Sequence, residues 1–87
     1  GRINVDRGII TEVRGELIHE GYVMQESVYN PNVSYFSIGG TINADLQFSK
    51  LAKGNWIYRV TVAAEYNGVV TSGTLIEKSF TVTEGIY

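Results

Sequence analysis

At 87 residues the chain has room for one domain, 1–87, and one thin core. Its 44% apolar and 18% charged residues describe a chain that folds, and a net charge of −2 offers no basic field for nucleic acid or an anionic membrane. No cysteine and a single histidine, His19, exclude disulfides, thiolate metal sites, Cys nucleophiles and multi-His centres. Ten Val, nine Ile and seven Thr make 26 of 87 residues β-branched, and ten more are aromatic, so an all-β fold is expected. No apolar run approaches the ~18 residues of a membrane span. Gly1-Arg2-Ile3-Asn4 carries neither a Met start nor a signal-peptide profile, which reads as a piece excised from a longer protein.

In chain order, residues 1–7 are an edge strand (Arg2 to Asp6) or the remnant of a linker. Ile10 to His19 alternates, placing Thr11, Val13, Gly15 and Leu17 inward and Glu12, Arg14 and Glu16 toward water. Glu20-Gly21 turns the chain, and Tyr22 to Tyr29 returns as the hairpin partner. Asn30-Pro31-Asn32 ends that strand, since proline has no amide hydrogen and Asn favours turns. Val33 to Ile38 is a short strand with Phe36 and Ile38 inward and Tyr35 outward. Gly39-Gly40 breaks it, and Ile42 to Phe48 resumes with Leu46 and Phe48 on the core. Leu51, Gly54 and Trp56 mark a crossing between sheets: Leu51 plugs the core, Gly54 allows a tight passage and the aromatic anchors the next strand. An indole has no hydroxyl to donate at such a corner, so packing and an indole N–H donor are expected there. Trp56 to Glu65 follows with Trp56, Tyr58, Val60, Val62 and Ala64 inward. Asn67-Gly68 is a hairpin signal. Ser72-Gly73 marks a bulge or second bend, and Lys78 to Thr83 closes with Phe80 and Val82 inward. About seven antiparallel strands in two sheets result, with Leu51, Trp56, Tyr58, Val60, Phe80 and Val82 as core anchors.

The order Asn30-Pro31-Asn32, Phe36-Ser37-Ile38, Thr41-Ile42-Asn43, Leu46-Gln47-Phe48, Leu51, Gly54-Asn55-Trp56, Tyr58, Val60 and Lys78-Ser79-Phe80-Thr81-Val82 resembles a known family. It is similar to the Ig-like β-sandwich accessory modules appended to secreted cell-wall hydrolases, of lysozyme and amidase type, and to surface proteins of Gram-positive bacteria. The resemblance covers the chain from about Gly8 and departs at Trp56, where many relatives carry Tyr. It implies an Ig-like or fibronectin-III-like sandwich and a non-catalytic module. The module would be secreted or on the bacterial cell surface, beside a catalytic domain in the same full-length chain.

Catalysis has little to stand on. His19 beside Glu20 reads as an exposed turn residue, and Glu12 and Glu16 lie roughly 13 Å apart at about 3.3 Å per residue, too far for a glycosidase pair. Gly39-Gly40 lacks the helix and Lys of a phosphate loop. Asp45 and Glu65 are the only hint of calcium, without ligand spacing around them. No cofactor, metal, nucleic acid or membrane partner is expected, and the isolated domain is expected to be a monomer. The remaining handle is aromatic: Tyr35, then Tyr29, Tyr66 and Tyr22 with Arg59, as a shallow platform on which cell-wall glycan or peptidoglycan stacks. The alternative function is a structural spacer or interaction module of a surface, adhesin or phage protein with no small ligand.

Overall fold

A computed structural model gives the fold, and residues 2–37 and 46–84 are described. Six strands lie among them: β1 (Arg2–Asn4), β2 (Ile9–His19), β3 (Tyr22–Tyr29), β4 (Tyr35–Ser37), β5 (Gly54–Tyr66) and β6 (Val69–Val82). All pairings are antiparallel. A four-stranded sheet runs β3-β2-β5-β6, and β1 pairs with β4 in a second, two-stranded sheet. The all-β expectation holds, in two antiparallel sheets. Ile38, Gly39-Gly40, Asp45 and the start of the expected strand at Ile42 lie outside the described residues.

The two long hairpins close through two-residue turns with both central residues at positive φ. Asn67 and Gly68 sit at 51° and 78°, Glu20 and Gly21 at 52° and 84°. That backbone matches the right-handed twist of paired strands, which is why Asn-Gly signals it so clearly.

One face of the large sheet carries the core. Ile10, Val13, Leu17 and Val60 are fully buried, joined by Leu46, Leu51 and Trp56. Each such side chain contributes on the order of 1.5–3 kcal/mol by leaving water. Ile3, Val5 and Phe36, from β1, the turn after it and β4, close over this face with Tyr29, Tyr58, Val62, Phe80 and Val82 half-buried around it. The inward anchors Leu51, Trp56 and Val60 are therefore buried as expected, while Tyr58, Phe80 and Val82 form the rim of the core.

The corner behaves as its residues require. Gly54 has φ 128°, in the region glycine tolerates best, and a Cβ there would lie 3.0 Å from His19 Cε1. Trp56 Nε1 donates to the Ala52 carbonyl at 2.8 Å, so the indole substitutes its own donor for a hydroxyl.

Several assignments are corrected. Thr11 is not an inward ladder residue. It is the extra residue of a bulge, since Ile10 pairs with Ala64 and Glu12 with Ala63. The bulge turns Ile10 into the core, and the Thr11 hydroxyl donates to the Ala63 carbonyl at 3.2 Å. In β6 the extra residue is Leu75, because Val60 faces Ile76 and Thr61 faces Thr74; Ser72-Gly73 stays in the ladder. Glu16 does not face open water: it is 8% exposed, between neighbouring strands on both sides. Phe48 is not a core strand residue. It begins a short 3-10 turn, Phe48–Lys50, and is 41% exposed. His19 is a partly buried β2 residue rather than a solvated turn. It stacks on Trp56 with centroids 4.5 Å apart, and its Nδ1 donates to the Asn55 carbonyl at 2.8 Å.

Candidate functional site

The tyrosine platform expected from the sequence is not assembled by the fold. Tyr22 faces His19 at the β2–β3 turn, and His19 faces Trp56; Tyr66 lies ten residues farther along β5. At about 3.3 Å per residue, the two rings sit roughly 33 Å apart, at opposite ends of the sheet. Tyr29 packs on the core and tilts against Phe36 at 6.0 Å. Tyr35 is outward and exposed as expected, but the Arg2 guanidinium lies 4.5 Å from its centroid and occupies one ring face.

Arg59 belongs to the opposite, outer face of the sheet. Glu26, Glu16, Arg59 and Glu77 stand in one row across β3, β2, β5 and β6. Glu16 and Glu26 would repel as direct neighbours, and each is offset by its own arginine, Glu16 by Arg59 and Glu26 by Arg14. Arg59 reaches Glu16 at 3.1 Å and Glu77 at 3.6 Å; Arg14 reaches Glu12 at 3.1 Å and Glu26 at 3.0 Å. The hydrogen bond to Glu12, more than any other influence, raises the Arg14 guanidinium above its ordinary range. Arg59 is thus held by carboxylates, and the outer face is an ion-pair lattice whose members are partly exposed apart from the buried Glu16.

A different group of rings does converge, where the 3-10 turn lies against the β6 edge. Phe48 meets Tyr58 edge-on at 5.7 Å and Phe80 at 6.5 Å. With Lys78 and Ser79 they line an open cleft of about 370 Å3. The strands supply the floor by register, since Tyr58 pairs with Lys78 and Trp56 with Phe80 on the core-bearing face. The turn supplies the wall. Gln25, facing Leu17 on that same side, holds the Gln47 backbone from both directions: Gln47 N donates to its Oε1 at 2.7 Å, and its Nε2 donates to the Gln47 carbonyl at 3.3 Å. Phe48 is the next residue, so this clamp positions it. Burial raises the Tyr58 phenol above its ordinary pKa.

Such a cleft is apolar, concave and edged by a few polar groups, as small-ligand sites generally are. Phe48, Lys78 and Gln25 were not among the expected binding residues. Lys78 did carry a signal, because a charge alternating with Phe80 and Val82 occupies inward parity. Phe48 carried none, since its parity with Leu46 indicated a strand.

Among the described residues no three His, Asp or Glu side chains gather as metal ligands, and no helix is long and apolar enough to cross a membrane. Comparisons with protein-family models, with curated proteins and with solved structures find no match to this chain.

Proposed function

We propose that the chain is a non-catalytic Ig-like β-sandwich module, acting outside a bacterial cell, that holds an attached hydrolase on cell-wall glycan. The observation supporting this reading is the cleft of Phe48, Tyr58 and Phe80. Aromatic rings that present faces and edges at an open surface suit the C–H faces of sugars, with Lys78 available for hydroxyls. One shallow cleft binds weakly, and linkage to an enzyme on an insoluble substrate turns weak binding into a high local concentration.

The purified domain is expected to co-sediment with Gram-positive cell walls with a Kd of roughly 10 µM to 1 mM. Phe48→Ala should abolish pelleting while its melting temperature stays within a few degrees of the parent. Failure to pellet at several hundred micromolar, with walls of several species, overturns the reading.

A second reading, an interaction module without small ligands, is favoured by β6. This outermost strand is 14 residues long, with Val69, Val70 and Leu75 each at least half exposed, and an open strand edge can pair with another chain. Concentration-dependent self-association in sedimentation velocity, without wall binding, would select it.

A further inference from the structure

We infer that the saccharide taken by the Phe48 cleft bears a carboxylate, which Lys78 receives; the inference rests on the glycan reading above. The chain's charges are sorted by face. Arg14 and Arg59 are tied to Glu12, Glu16, Glu26 and Glu77 on the outer face. The chain's three lysines, Lys50, Lys53 and Lys78, take no part in that lattice. Lys78 lines the cleft itself. Lys50 ends the same 3-10 turn that begins with Phe48, and Lys53 lies between that turn and β5.

Among the described residues no carboxylate lines the cleft, and none lies within ion-pair distance of these three ammonium groups. A chain with net charge −2 thus presents one ammonium, that of Lys78, beside its aromatic rings. Neutral sugars need the rings alone; the Lys78 ammonium adds a preference for an anion. A single ammonium on a flexible stem acts as a point charge and matches one carboxylate. The cleft has no guanidinium fork of the kind that favours phosphate.

The test compares a tetrasaccharide of alternating N-acetylglucosamine and glucuronic acid with its carboxyl-reduced neutral form, by NMR titration at low salt. The acidic form should bind about fivefold more tightly, as one partly exposed ion pair allows, and the ratio should fall toward one at high salt. Lys78→Gln should bring the ratio to about one at low salt, whereas Glu77→Gln on the outer face should leave it intact. Equal affinities in the parent, a preference that survives Lys78→Gln, or displacement of the acidic form by inorganic phosphate at matched ionic strength each overturn the inference. If the parent binds neither form yet pellets with cell walls, the inference falls and the glycan reading stands; if it does neither, both fall.

Discussion

The two faces of the four-stranded sheet are built from the same alternating strands and do opposite work. Toward β1 and β4, the positions of Val13, Leu17, Trp56 and Val60 make a dry core. On the other side, positions one residue along in each strand carry Glu16, Arg59 and Glu77. The covered face draws its energy from area removed from water. The outer face carries a lattice of charges whose attractions are largely offset by hydration. The cleft lies where the first face runs out from under its cover, at the β6 edge, and this leaves rings accessible.

This contrast predicts a steep difference in mutational cost. Trp56→Ala removes a buried ring, the hydrogen bond to Ala52 and the stack on His19, and should cost about 3–5 kcal/mol. For a domain with little more stability than that, the variant should be largely unfolded at 37 °C in a thermal melt. If it melts within a few degrees of the parent, the covered face is not where the stability lies.

On the outer face, a double-mutant cycle at the more exposed pair Arg14 and Glu26 (Arg14→Met, Glu26→Gln) should return a coupling of only about 0.5–1 kcal/mol by denaturant unfolding. A coupling several times larger would mean that the lattice is as dry as the core.

The smallest effect concerns Tyr58. Its folded-state pKa is raised, so the folded state holds the phenolic proton more tightly than the unfolded chain does. The resulting stability is present below the unfolded value near 10 and is lost as pH rises through the folded value. Melts between pH 9 and 11 should therefore show a decline that Tyr58→Phe reduces. An identical decline in both would place the phenol in water.

Much of the covered face was legible because alternation and turn chemistry are local. Asn67-Gly68, the Leu51–Gly54–Trp56 corner and the inward run from Trp56 to Val62 could be read from adjacent residues. Single-residue insertions are not local. Thr11 and Leu75 become bulges only against a partner strand, and the first of these exchanged Ile10 for Thr11 in the core. The burial of Glu16 likewise depends on β3 and β5 flanking it, which strand parity alone does not reveal. The candidate site was the least legible part. Tyrosines were counted along the chain, but the rings that meet come from a turn and two strands, and the turn is positioned by Gln25 on a fourth element.

The central claim, that the binding surface is the Phe48 cleft and not the scattered tyrosines, is tested most directly by mapping. Backbone amide shifts of the labelled domain should be followed during titration with an N-acetylglucosamine oligomer. The account predicts perturbations confined to the neighbourhood of Phe48, Tyr58 and Lys78 through Phe80, with Tyr22, Tyr35 and Tyr66 unmoved. Perturbations centred on Tyr35, or on the outer-face row of Glu16, Arg59 and Glu77, would contradict it.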